Sequence, residues 1–515
     1  METDNADLLA FLEQQAAREG LTKRDSVVAP PDSLPILVPL DLPADADPVR
    51  MLLGSRVPWL THGEIFGAQP IGSGPWLERG WKLHVSATPL SAVEVLGRVL
   101  PILLAAGVRF KAVNTRARLL ALNAGRWGRP QIGKFITVYP SDDARAVQLA
   151  VALDAATQGL RGPVIPSDRP LRPGSLVHYR YGDFQSAPEQ PAPSAVAAEV
   201  PPLRASERGE FADRRVMFYV PPPAPIVDPF EAAGVYVPPA HRTGPFAGRY
   251  LVLGVLSGSY RGGVFRAIDL GAEPPRLCVL KEFWRDAGMD PHGREASDWA
   301  ATEADILTRY AGDRSMPRLY DRFKLDGNTY LALEYIEGVS LQQELSEAGE
   351  TPAGVPVHRL IAAGRGTGEA LARLHELGIV HGDCKPANLI RTAEGQYRLI
   401  DFGIAYEWET ATLPPLGCGT RPYASPAQLE GERFTPADDV FAWGAVLRRL
   451  ACGTDGASGR SDPASPATQA ELRAAVPAAL AAVIERAVAL EPAGRHADMR
   501  EGLAAFEAAV AAAAY

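Results

Sequence analysis

The stretch His381-Gly382-Asp383-Cys384-Lys385-Pro386-Ala387-Asn388 constrains this chain more than any other, because Asp401-Phe402-Gly403 begins thirteen residues after Asn388. That order and spacing suit phosphoryl transfer from a nucleotide. Asp383 can accept the proton of an attacking hydroxyl, and Lys385 can sit on the moving phosphoryl group. Asn388 and Asp401 can each hold a magnesium ion. Asp-Phe-Gly alone is a weak signal, which a solvated acidic loop explains as well. The pair of motifs is specific.

The two motifs together resemble the catalytic core of protein kinases, and the resemblance extends over about residues 248–510. It implies a bilobal kinase-like domain that uses ATP or GTP with Mg2+. Ser257 through Phe265 resembles the glycine loop over the nucleotide phosphates, with Gly258, Gly262, Gly263 and Val264 as its contacts. It departs from G-x-G-x-x-G, and a hairpin turn would explain it equally. Lys281, in Cys278-Val279-Leu280-Lys281-Glu282, takes the place of the lysine that binds the α and β phosphates. Its partner should be a helix glutamate: Glu303, with Glu295 as the second choice. Glu334 and Tyr335 end an apolar strand where the family's hinge meets the base. Gly382 stands where the family usually has an arginine that receives an activation-loop phosphate, which implies a kinase not switched in that way. Gly419-Thr420-Arg421-Pro422-Tyr423-Ala424-Ser425-Pro426, Asp439 and Arg495 continue the pattern.

The first part of the chain reads differently. In Trp81-Lys82-Leu83-His84-Val85-Ser86, apolar and polar residues alternate, so a strand would put Lys82 and His84 on one face. Thr88-Pro89 should cap and start a helix that Gly107 ends. Val108–Val113 reads as a second strand with Arg109 and Lys111 opposite Phe110. Gly133–Pro140 reads as a third and Leu176–Gly182 as a fourth. Any one of these cations has an ordinary explanation as the solvent side of a strand. As a set, Lys82, His84, Lys111, Arg129, Lys134 and Arg180 fall on short strands and glycine loops of an otherwise acidic protein, and converging cations suit a phosphate.

Residues from about Gly80 to Phe184 are similar to the amino-terminal lyase domain of class III lanthipeptide synthetases, and through it to effector phosphothreonine lyases. The similarity rests on Gly80–Ser86, Gly133–Pro140, Val164-Ile165-Pro166-Ser167-Asp168-Arg169 and Tyr179-Arg180-Tyr181-Gly182. It implies β-elimination of phosphate from a phosphorylated Ser or Thr. Lys111 would be the base, His84 the acid on the leaving phosphate, and Lys82 a phosphate or enolate ligand. Arg129, Arg180 and Arg169 would be clamp candidates and Tyr139 a pocket tyrosine.

The expected architecture is therefore α+β: a phosphothreonine-lyase-like domain over 1–185, a Pro/Ala-rich linker over 186–245 and a kinase-like domain over 246–515. Residues 5–19 should form an amphipathic helix used in packing. Residues 186–202 read as an extended connector, and 211–240 as a polyproline strap lying on one or both domains, or else helping to hold substrate. Joined on one chain, the two chemistries imply a class III or class IV dehydratase that phosphorylates Ser or Thr of a leader-bearing precursor peptide and then eliminates the phosphate. The resemblance runs out where the family's cyclase domain would begin, so ring closure would fall to a separate enzyme, occur spontaneously or not occur. Two rivals remain: a Ser/Thr kinase with an inactive phosphopeptide-binding module, and a non-catalytic scaffold. A net charge of −9 argues against non-specific nucleic-acid binding. The apolar runs are too short to span a bilayer, and the four scattered cysteines imply a reducing, cytoplasmic setting.

Overall fold

The computed structural model describes residues 47–56, 66–67, 77–184, 219–239, 243–290, 293–347, 354–410, 418–453 and 466–513. The helix expected over 5–19, the connector over 186–202 and residues 211–218 and 240 of the strap lie outside them. The chain is α+β and divides into two compact units. One holds residues 1–265, 282–297 and 324–329; the other holds 266–281, 298–323 and 330–515.

The first unit is built on a six-stranded sheet in the order β1-β3-β4-β2-β6-β5. The strands are β1 (Phe66–Gly67), β2 (Arg79–Val85), β3 (Arg109–Val113), β4 (Ile136–Tyr139), β5 (Arg169–Pro170) and β6 (Val177–Asp183). Every neighbouring pair is antiparallel. The alternation seen in the sequence becomes two faces. Trp81, Leu83 and Val85 join Phe110, Ala112, Ile136, Val138, Val177 and Tyr179 in one buried core. Two helices complete that core: α1 (Ala92–Ala106), through Val95, Leu96, Val99, Leu100 and Leu103, and α2 (Asp143–Thr157), through Leu149, Ala150 and Leu153. Their apolar residues recur at helical spacing, which is what lets a helix cover a sheet face.

One local expectation is displaced. Thr88 does not cap α1. Its amide and hydroxyl donate to Ser91 Oγ at 3.0 Å, closing a turn, and the helix begins at Ala92. Ser91 Oγ also lies within hydrogen-bond reach of the Arg161 carbonyl, so a tertiary contact sets where the helix starts.

The described part of the strap lies on this same unit. Phe230, from the short helix Pro229–Ala232, is buried and stacks on Tyr179 with ring centroids 3.9 Å apart. Tyr179 donates its hydroxyl hydrogen to Asp228 at 3.0 Å.

A second sheet has the order β10-β11-β9-β8-β7. Its strands are β7 (Tyr250–Ser259), β8 (Gly262–Asp269), β9 (Arg276–Phe283), β10 (Leu319–Leu325) and β11 (Asn328–Glu334). Between β9 and β10 runs helix α3 (Ala296–Arg309). After β11 the chain is mostly helical, with Val357–Glu376, Pro436–Cys452 and Met499–Ala512 as the longest elements. Trp443 and Phe506 meet edge-on in their core, and the Trp443 indole donates to the Gly364 carbonyl at 3.0 Å.

Candidate active sites

In the second unit, Lys281 on β9 projects to two carboxylates. Its ammonium lies 2.6 Å from Glu303 on α3 and also contacts Asp401. Glu303 accepts in addition from the Phe402 amide at 3.3 Å. Burial opposes the charge on Lys281, but Asp401 and Glu303 outweigh it and hold the ammonium above the usual lysine range. Burial likewise opposes the charge on Asp401, and Lys281 overcomes it, so the carboxylate stays ionised far into acid. Glu295, the other candidate partner, is engaged elsewhere.

The 381–388 loop is held from behind. Asp439 accepts from the His381 and Gly382 amides at 2.8 and 2.9 Å and shares a hydrogen bond with His375 at 3.1 Å. Gly382 has φ +76°, and a Cβ there would sit 2.5 Å from the Phe434 ring. An arginine at this position would be both strained and blocked, so the family's arginine has no room here. Asp383 faces forward: it contacts Lys385 Nζ at 2.6 Å and accepts from Thr420 Oγ1 at 2.8 Å. Asn388 donates to the Asp383 carbonyl at 2.9 Å. The Asn388 amide oxygen and one Asp401 oxygen are the hard donors that would hold a magnesium ion here. Among the described residues, no cluster of three or more His, Cys, Asp and Glu groups forms a self-contained metal cage.

The glycine loop is the β7–β8 hairpin. Gly258 sits on the strand with open space beside it, and Gly263 and half-buried Val264 enter β8. Gly262 has φ +155° and passes so close to the Glu282 carbonyl that a side chain would collide. Glu334 ends β11 and is tied to Arg398 at 2.8 Å, while its amide donates to the Arg318 carbonyl; half-buried Tyr335 follows.

In the first unit, register decides which cations meet. His84 pairs with Thr137 of β4 and His178 of β6; Thr137 pairs with Lys111 of β3; Lys82 pairs with Arg180 of β6. Side chains alternate along each strand, so Lys82, His84, Lys111, Tyr139 and Arg180 share the face opposite the core. Beside them, the buried carboxylate of Asp168 hydrogen-bonds His84 Nδ1 and lies 3.0 Å from Lys134 Nζ. Burial works against the Asp168 charge, but Lys134, His84 and Arg180 hold the carboxyl well below its usual range. Burial lowers the His84 pKa to about 3, Lys134 and Lys82 push the same way, and Asp168 only partly offsets them. His84 is therefore neutral at pH 7, with its Nδ1 hydrogen donated to Asp168 and the lone pair left on Nε2.

Two candidates differ from this group in setting. Arg129 is exposed, in a turn over Arg129–Gln131. Arg169 is taken up by the strap: it pairs with Asp228 at 3.1 Å and Glu231 at 2.6 Å, and its guanidinium lies 3.8 Å from the Tyr236 ring centroid. Asp168 is the central residue that reasoning from single strands passes over, although it stands inside the Val164–Arg169 segment. A lone loop aspartate becomes informative only when Lys134, Arg180 and the His84 imidazole gather around it. His178 is buried beside His84 and accepts from the Ile165 amide at 3.3 Å, which is a structural use.

The RamC, N-terminal domain family matches residues 61–235, and the protein kinase domain family matches residues 277–479. The chain joins a RamC N-terminal domain to a protein kinase domain. A probable SapB synthase of Streptomyces coelicolor is 31% identical over 382 residues, covering 67% of this chain and 38% of that protein. The serine/threonine-protein kinase PknL of Mycobacterium tuberculosis is 29% identical over 262 residues, covering 48% of this chain and 63% of PknL. The chain thus spans less than two thirds of either relative. A solved PknI kinase domain from M. tuberculosis aligns over 51% of this chain and 95% of its own, at 24% identity and a TM-score of 0.38. The RamC match reaches into the strap that covers Arg169. A kinase domain works with ATP and a divalent metal. No helix among the described residues is long and apolar enough to cross a membrane.

Proposed function

We propose that this chain is a two-step Ser/Thr dehydratase acting on a lanthipeptide-type precursor peptide in the cytoplasm. The kinase domain, with ATP and Mg2+, phosphorylates a Ser or Thr of the peptide. The RamC domain then removes the phosphate together with the α proton, leaving dehydroalanine or dehydrobutyrine. The observation that carries this reading is the convergence of Lys82, His84, Lys111 and Arg180 on one sheet face around buried Asp168, on the same chain as an assembled kinase site.

In the first step Asp383 accepts the hydroxyl proton as the oxygen attacks the γ phosphate, and Lys385 balances charge on the phosphoryl group. Bound magnesium supplies electrostatic stabilisation of the transferred group. In the second step the Lys111 amine takes the α proton. The C–H electron pair becomes the Cα=Cβ bond, and the Cβ–O bond breaks with its pair going to the phosphate oxygen. His84 Nε2 returns a proton to that oxygen. In the free site His84 is neutral. An incoming phosphate adds negative charge that offsets Lys82 and Lys134, raising the imidazole pKa so that Nε2 can carry the proton. Tethering both domains keeps the phosphopeptide at high effective concentration.

The test is mass spectrometry of a leader-bearing precursor peptide incubated with the full chain, ATP and magnesium. Loss of water per modified residue supports the reading. Stable gain of phosphate, with no alkene, leaves a kinase beside a phosphopeptide-binding module.

A further inference from the structure

The mechanism above leaves one strong feature unused. Arg161 belongs to the RamC domain, and its backbone is fixed there: its carbonyl accepts from the Thr88 amide at 3.4 Å and lies against Ser91 Oγ. The next residue, Gly162, runs so close to β2 that a Cβ would lie 2.6 Å from Ser86 Oγ. From this anchored position the Arg161 guanidinium grips two carboxylates of the segment 282–297, which packs within the same compact unit. Nε donates to Asp286 Oδ1 at 2.6 Å, and a terminal nitrogen donates to Glu295 Oε2 at 2.6 Å.

That segment connects β9, which carries Lys281, to α3, which carries Glu303. Asp286 has a fully buried side chain and a left-handed backbone, φ +61°. Glu295 lies immediately before α3. Its carboxylate accepts from the Asp286 amide at 3.2 Å and from Ser297 Oγ at 2.9 Å, closing the connection on itself. Two carboxylates so close together repel unless a cation sits between them. Arg161 is bidentate, and its forked, permanently charged group suits that place. Arg285, 3.4 Å from Asp286, supports one side only. Eight residues separate Glu295 from Glu303, about two helical turns or ~12 Å, so tilting the start of α3 would carry Glu303 away from Lys281. The Lys–Glu pair must be in place for phosphoryl transfer.

We infer that Arg161 is a positioning residue for the kinase reaction: the RamC domain, through Arg161, Asp286 and Glu295, holds the start of α3 where Glu303 meets Lys281. The consequence is directional. The RamC domain would sustain the first chemical step as well as perform the second.

The experiment uses the full chain and measures phosphoryl transfer from ATP to the peptide, so it depends on kinase activity but not on elimination. Arg161→Ala should lower kcat about tenfold while leaving the KM for ATP within about twofold. Arg161→Lys, which keeps a charge but cannot bridge both carboxylates, should fall between. Glu295→Gln should lower the rate on its own, and Arg161→Ala with Glu295→Gln should be no slower than Arg161→Ala alone, because both act through one contact. Wild-type kcat in Arg161→Ala would overturn the inference, as would additive effects in the double variant. A melting transition lost in Arg161→Ala and unrestored in Arg161→Lys would also overturn it, by showing a general role in folding.

Discussion

Asp383, Lys385 and Asn388 lie within six residues of one another, and the loop that presents them is tied by Asp439 and shaped by Gly382. The RamC-domain face draws Lys82, Lys111, Lys134, Asp168 and Arg180 from strands and loops spread over nearly one hundred residues, with no two adjacent in sequence. One site is therefore close to a linear word, and the other exists only through register. A kinase loop keeps its chemistry together because one short turn must align base, metal ligand and phosphate. A cationic face on an antiparallel sheet needs only alternate residues of several strands, and any one of them looks ordinary by itself.

The sharpest break between the two is Asp383→Asn. It should reduce phosphate transfer by at least about 10³-fold, so that mass spectrometry finds neither phosphate nor water loss. A synthetic phosphopeptide should still be converted to alkene by that variant; loss of this conversion as well would mean the sites are not separable. The mirror change is Lys111→Ala. It should slow elimination by about 10²-fold or more and let phosphopeptide accumulate, with phosphorylation rates near wild type. Unchanged alkene formation would remove Lys111 from the role of base.

Asp168→Asn probes what holds the dispersed site together. Removing the carboxylate charge from between His84 and Lys134 should cost roughly 3 kcal/mol of stability in the RamC domain, read as lost hydrogen-exchange protection in β2 and β4 while the kinase helices keep theirs. Equal loss in both regions would show that the domains unfold as one. Gly382→Ala tests the compact site, through its positive φ and the Phe434 ring. It should cost about 1–3 kcal/mol and lower kinase turnover without affecting elimination.

The smallest effect concerns pH. The folded His84 pKa is about 3 against an ordinary 6.5, so the unfolded chain takes up a proton that the folded chain refuses. Stability from this group is complete above pH 6.5 and declines as pH falls toward 3. Hydrogen exchange at pH 5 and pH 7.5 should show β2, β4 and β6 losing protection at the lower pH. Equal protection at both values would place His84 in a more open, chargeable setting.

Much of this molecule is written locally. Alternation in Trp81–Ser86 and Val108–Val113 specified strands and faces, the 381–403 motifs specified phosphoryl chemistry, and both follow from side-chain periodicity and fixed spacing. Other features were out of reach. The true start of α1 depends on Ser91 reaching the 161 carbonyl, and the fate of Arg169 depends on Tyr236, Asp228 and Glu231 arriving some sixty residues later. The choice of Glu303 over Glu295 beside Lys281 depends on how α3 is set down, and Glu295 is drawn to Arg161 instead. Each of these is a competition between charges or donors distant in sequence, decided by who is near whom. The sequence alone determined which chemistries were present and which face of each strand carried them. Tertiary structure decided which carboxylate each cation meets, Lys134 going to Asp168 and Arg169 to Asp228 and Glu231, because at these distances a single ion pair outweighs charges farther away.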